Sequence, residues 1–167
     1  MDYLHSVPTE QGVLVSLLSL ADGVDQYVQR LNRDYFSGKH QIIFDAIKAI
    51  HDRGEQIDFI LVWDEIKKNP LNLHHIDEQY MLTLNAEAPT LISTLEQHIE
   101  KLHRLMVRRK FVDISVLMQG MAKDFTTNLD EMLNKTQNMI AEIGDNSEKK
   151  SLTYVNEFVA RLYADLE

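Results

Sequence analysis

Apolar residues recur at helical spacing along almost the whole chain, with no sustained alternation of the kind a strand needs. Val13, Leu14, Leu17 and Leu18 predict a first helix, with Ser6 or Thr9 as its N-cap. Asp22-Gly23 breaks it, and Asp22 can cap a short second helix carrying Val24, Tyr27, Val28 and Leu31. A third helix runs from about Lys39 with Ile43, Ile47 and Ile50 on one face. Gly54 follows where a helix end wants a left-handed residue. Asp58 restarts the pattern as N-cap of Phe59 to Lys67, and Asn69-Pro70 ends it. A polar loop through His74-His75 and a short helix around Tyr80 to Leu84 complete this half. Trp63, Tyr35, Phe36, Phe44 and Phe59 are its expected aromatic core.

The second half has a longer period of order. From Thr90 to about Lys123 there is no proline and one glycine, Gly120, which predicts a helix of roughly 30 residues, or about 50 Å. Leu91, Leu95, Ile99, Leu102 and Met106 form one apolar row on it. Val107, Phe111, Ile114, Met118, Met121 and Phe125 form another, with Leu105, Val112 and Val116 as a flank. After a Thr126-Thr127-Asn128 turn, a helix from Leu129 to Ile143 returns as the second arm of a hairpin. A lone two-helix hairpin cannot cover both rows, so the second row is expected to form a dimer interface. Residues 144–151 form a polar linker. Beyond it Leu152, Val155, Val159, Leu162 and Leu166 make an amphipathic stripe that has no sequence left to cover it, and docking on something outside the chain is the expected use.

The fold class is therefore all-α: a small bundle over residues 1–88, a hairpin over 89–143, and an amphipathic helix over 152–167 after the linker. Composition narrows the function. Only 6 Gly and 3 Pro occur, in keeping with helices and short connections, and the absence of Cys removes thiolate metal sites, disulfides and cysteine nucleophiles. No apolar run is long enough to cross a membrane and no signal peptide is legible, so a cytoplasmic location is expected. The net charge of −9 argues against a surface built mainly to neutralise phosphates.

Candidate chemistry is sparse. The 7 histidines lack metal-ligand spacing: His74 and His75 are adjacent, and His98 and His103 do not share a helix face. The acidic residues fall mostly at helix starts (Asp22, Asp58, Asp77) or on faces expected to be exposed, which capping explains better than acid–base catalysis. Neither GxxxxGK[ST] nor GxGxxG occurs. Lys101, Arg104, Arg108, Arg109 and Lys110 form a basic strip, a candidate contact for an acidic partner or a nucleic-acid backbone. A solvated face is the plainer reading, and no aromatics are interleaved for base stacking.

Several ordered segments then resemble one family. Glu10-Gln11-x-Val13-Leu14-x-x-Leu17 is similar to the EQxVLxxL opening of the DnaB-type replicative DNA helicases. Asp34-Tyr35-Phe36 with His40-x-x-Ile43-Phe44-x-Ala46-Ile47 resembles that family's DFY…HxxIFxAI, with the two aromatics transposed. Gly54-x-x-Ile57-Asp58 matches its GxPID turn with Gln56 in place of proline, and Tyr80-x-x-x-Leu84 stands where the family has YLxxL. Arg109-x-Phe111-Val112 and Leu129-Asp130-x-x-Leu133 fall where its hairpin helices lie. Glu78-Gln79 replaces the usual Gly-Gly, and Thr90-Leu91-Ile92 replaces an Ala-rich stretch.

The resemblance implies an N-terminal assembly and docking domain rather than a catalytic segment. It implies hairpins that pair, three such dimers forming a collar on a hexameric ATP-dependent helicase, and docking of primase and a helicase loader. The stripe Leu152, Val155, Val159, Leu162 and Leu166 would be a linker helix against a neighbouring subunit. ATP, Mg²⁺ and DNA contacts would belong to an ATPase domain beyond Glu167. Two other readings fit the residues: a free-standing helical regulator of a replicative helicase or primase, and a DNA-binding module using the 101–110 strip.

Overall fold

A computed structural model describes residues 4–20, 23–124, 126 and 128–145. Seven α-helices appear, and no strand occurs among the described residues. They are α1 (Val7–Ser19), α2 (Asp25–Val28), α3 (Lys39–Asp52), α4 (Phe59–Lys67), α5 (Glu78–Glu87), α6 (Leu95–Lys123) and α7 (Leu129–Asp145). The chain divides into two compact units, residues 1–106 and 107–167.

Local chemistry sets most boundaries in the first unit. Asp58 accepts the Leu61 N–H at 2.8 Å and Asp77 accepts the Tyr80 N–H at 2.7 Å, so each carboxylate satisfies an orphan donor at a helix start. At the end of α3 the Gly54 N–H reaches the His51 carbonyl (2.8 Å) and the Glu55 N–H reaches Ile50 (3.3 Å). That pair of bonds needs a left-handed residue between them, and Gly54 supplies it at φ 71°. Ser6 precedes α1 as expected, but its hydroxyl meets the Thr9 hydroxyl at 2.8 Å instead of a backbone N–H.

α3 is the hub, packing on α1, α2 and α4, while α5 packs on α1 and α4. Val13, Leu14 and Leu17 of α1 meet a core of Ile43, Phe44, Ile47, Ile50, Val62, Met81 and Leu84, all essentially without exposed surface. Phe36 stacks on Phe44 with ring centroids 4.9 Å apart. The first part of α6 adds Leu95, Ile99, Leu102 and Met106, all buried, so the first predicted row belongs to this core.

Several expectations need correction. The long helix begins at Leu95, not Thr90. Pro89 disfavours helical backbone at Ala88, and the Leu91 N–H bonds to the Ser16 hydroxyl (2.6 Å), which holds Leu91 to α1 ahead of a 3-10 turn at Ile92–Thr94. Leu91 is thus off the helix whose row it was expected to start. The polar loop through His74 contains a 3-10 helix, Pro70–His74, because Asn69 caps it through the Leu71 N–H (3.1 Å) and proline suits its first position. α2 is shorter than expected and leaves Leu31 beyond its end, with Val24 at the N-cap position. Asp22 lies outside the described residues. Trp63 and Phe59 are half-buried rather than core, unlike Tyr35, Phe36 and Phe44. The expected linker and the stripe from Leu152 to Leu166 also lie outside the described residues.

Candidate functional site

In the second unit α6 continues to Lys123, and Asn128 caps α7 through the Asp130 N–H at 2.9 Å. Of the residues expected at a dimer interface, Ile114 is buried inside this unit (8% exposed), and Val107 and Met121 are half-buried. Phe111 and Met118 stay 43% and 40% exposed. Phe125 lies outside the described residues. Two apolar residues that were not expected at the interface are more open still: Leu117 at 56% and Val116 at 62%. Val116 lies roughly 140° around the helix from Phe111, on a different face. Exposure of this kind depends on what α7 covers, and periodicity alone does not reveal that.

The first unit holds a polar cluster that the sequence reading missed. Glu10 has no exposed surface and His40 is 3% exposed. The Glu10 carboxylate accepts from the Ser37 N–H (3.0 Å), the Ser37 hydroxyl (2.8 Å) and His40 Nδ1 (2.6 Å). On the other side of the ring, His40 Nε2 lies 2.7 Å from the Tyr80 hydroxyl, which also accepts from Gln11 Nε2 at 3.2 Å. A carboxylate only accepts, so Nδ1 carries hydrogen. Burial raises the Glu10 pKa, but the hydrogen bonds from His40 and Ser37 outweigh it, and the group ends below the usual carboxylate value. Burial pushes the Tyr80 phenol up.

The Ser37 hydroxyl donates to Glu10 and not to His40, so the cluster lacks the geometry of a nucleophile held by its base. It is a clasp joining α1, the start of α3, and α5. Glu10 and Gln11, His40, and Tyr80 come from three of the segments that carried the family resemblance. An acidic residue among apolar neighbours early in α1 was the signal available in the sequence.

The basic strip is already partly engaged. Lys101 donates to the Ser6 (3.2 Å) and Thr9 (2.9 Å) hydroxyls, and Arg104 pairs with Glu100 one turn back. Arg104 and Arg108 are exposed, while Arg109 and Lys110 are half-buried. Among the described residues no group of three or more His, Asp or Glu side chains is placed to hold a metal ion, and no helix is long and apolar enough to cross a membrane.

Comparison with known proteins gives the family. The family model described as DnaB-like helicase N terminal domain matches residues 2–104. The replicative DNA helicase DnaB of Rhodothermus marinus is 23% identical over 164 residues, covering 98% of this chain and 17% of that protein. That of Leifsonia xyli is 32% identical over 87 residues, covering 52% of this chain and 19% of that protein. The chain thus spans about a fifth or less of the length of these relatives. Among solved structures, the N-terminal domain of DnaB helicase from Mycobacterium tuberculosis superposes with a TM-score of 0.71 at 23% identity, over 83% of this chain and 97% of that one. A DnaB-like replicative helicase, described with its interactions with primase, gives 0.61 at 19% identity over 91% of this chain and 35% of that one. The all-α fold is that of these structures, and the chain belongs to the DnaB-like helicase N-terminal domain family.

Proposed function

We propose that this chain is the assembly and partner-docking domain of a hexameric, ATP-dependent replicative DNA helicase. The observation that carries the reading is the family match over residues 2–104, coupled with an apolar helix face left open at Phe111 and Met118. An apolar side chain fully buried contributes roughly 1.5–3 kcal/mol. Phe111 and Met118 are already more than half covered, so each gains only part of that on association. Several residues per protomer, with Val107 and Met121 at the margins, would be needed to offset the entropy of pairing. Pairing of hairpins into dimers, and of three dimers into a collar, follows from the resemblance.

Primase is the proposed partner of that collar, since one of the similar structures is described with its interactions with primase. A helicase loader is a further proposed partner. ATP, Mg²⁺ and DNA belong to the activity proposed for the whole protein. This chain contains no GxxxxGK[ST] loop that would fit the nucleotide, so no chemical step is assigned to its residues. The stripe Leu152, Val155, Val159, Leu162 and Leu166 is proposed to dock on a neighbouring subunit. A DNA-binding role for the 101–110 strip is less well supported, because Lys101 and Arg104 already have partners within the chain.

Light scattering behind size exclusion, over a wide concentration range, tests the assembly reading. Dimers or hexamers are expected for this chain. Phe111→Asp with Met118→Asp should give monomers that keep the parent's helical circular dichroism, because both side chains are partly exposed. Retained dimers in that variant would refute the chosen face. Titration with a cognate primase then tests docking.

A further inference from the structure

The histidine pair His74-His75 found no use in the sequence, and the assembly reading leaves it idle. In the first unit it borders a groove between α3 and the 3-10 helix Pro70–His74. A depression of about 580 Å³ is lined by Arg33, Lys39, Ile42, Leu71, Asn72 and His75, together with Gly38. No acidic residue lines it, in a chain whose net charge is −9. A second depression of about 430 Å³ continues from it, sharing Lys39 and His75 and adding Leu73, His74 and one acidic residue, Asp77, whose carboxylate already caps α5 through the Tyr80 N–H.

Two features suit this groove to a ligand that is anionic and apolar at once. Its cations have little acidic cover. Arg33 gives its Nε–H to Asp45 at 2.8 Å. Lys39 Nζ sits 3.1 Å above the centre of the Tyr80 ring, and among the described residues it has no carboxylate partner. Leu71 and Leu73 stand 67% and 45% exposed beside these charges. An ordinary solvated loop does not combine a basic lining, acid-free in the first depression, with two open leucines.

We propose that this groove docks a short acidic segment of a partner protein. Its carboxylates would meet Lys39, Arg33 and His75, and its apolar side chains would meet Ile42, Leu71 and Leu73. Charge complementarity selects the occupant. One or two carboxylates gain from the local cations, whereas a polyanionic nucleic acid would also feel the repulsion of the whole acidic chain. Nor is there a free aromatic platform for a base, since Lys39 covers the Tyr80 ring. The proposal is independent of the pairing face at Phe111 and Met118, which lies in the second unit.

The test uses the whole 167-residue chain, immobilised, and a phage-displayed library of random peptides of about twelve residues. Surviving peptides are expected to combine Asp or Glu with Leu, Ile or Phe. Synthetic copies, followed by fluorescence anisotropy, should bind about tenfold more weakly to Lys39→Glu and to Leu71→Glu, and more weakly as salt rises. Leu71→Glu is the cleaner variant, because Lys39 also packs on Tyr80. A thermal melt matching the parent establishes that each variant is folded. The proposal is overturned if no peptide survives selection, if survivors carry no acidic residue, or if they bind Leu71→Glu as well as the parent. It is likewise overturned if a single-stranded oligonucleotide binds in place of the peptides and loses affinity in Lys39→Glu.

Discussion

Glu10 carries an ionised group into a place without water, and it is tolerated only because Ser37 and His40 donate to it. The folded-state pKa of Glu10 lies below its ordinary value of 4.5, so the stability it contributes is present above that value and is lost as pH falls through the folded pKa. Glu10→Gln should therefore cost about 1–3 kcal/mol at neutral pH, read from the urea midpoint, because a neutral amide oxygen replaces charge-assisted hydrogen bonds from Ser37 and His40 with weaker ones. The same variant should lose less stability than the parent between pH 7 and pH 3. An identical decline in both would remove Glu10 from the account of acid sensitivity. Tyr80→Phe strips the hydrogen-bond partner from His40 Nε2 and Gln11 together, and about 1–2 kcal/mol is expected in the same assay.

At the scale of elements, the helix boundaries were the most legible part of the sequence. Asp58, Asp77 and Gly54 act on donors and acceptors within three or four residues of themselves, so short-range pattern is sufficient to place them. Replacing Asp58 or Asp77 by Ala should each lower stability by about 1 kcal/mol, with the melting temperature as the readout. The start of α6 was not legible, because it is set by a bond between Leu91 and Ser16, 75 residues apart. Gly12 belongs to the same junction. A Cβ there would lie 2.4 Å from Leu91 Cδ1 and 3.1 Å from the Pro89 carbonyl oxygen. Gly12→Ala is accordingly expected to destabilise by roughly 1–3 kcal/mol in urea, since the backbone at Pro89 must give way along with the side chain. A neutral result would mean that the loop moves aside at little cost.

At the scale of the whole molecule, the order of the motifs carried more information than any one of them. Glu10, His40 and Tyr80 stand in three separate motifs of the sequence, and their meeting depends on how α1, α3 and α5 pack. Fold class was legible because helical periodicity is a local property repeated along the chain. The clasp was hidden because hydrogen-bond partners 30 and 40 residues apart leave no periodic trace. The open face at Phe111 and Met118 was only half visible: the apolar row could be read, but not how much of it the fold leaves uncovered. If that face is an assembly surface, the melting temperature of the chain should rise with protein concentration, whereas Phe111→Asp with Met118→Asp should melt at one temperature throughout.

The partners of α1 have a consequence for the order in which the chain is made. Ser37, His40, Tyr80, Leu91 and Lys101 all reach back to it, across 27 to 92 residues. During synthesis α1 emerges first, yet the last of these partners, Lys101, follows only some ninety residues later. A nascent chain ending near His75 would hold Glu10 and His40 without Tyr80, and the Ser16 hydroxyl without Leu91. Such a chain should show helical signal but no cooperative melt, and it should sediment with trigger-type chaperones rather than as a free domain. Closure of the first unit would coincide with the arrival of Lys101, so translation speed over residues 80–101 should set how long α1 stays unsecured.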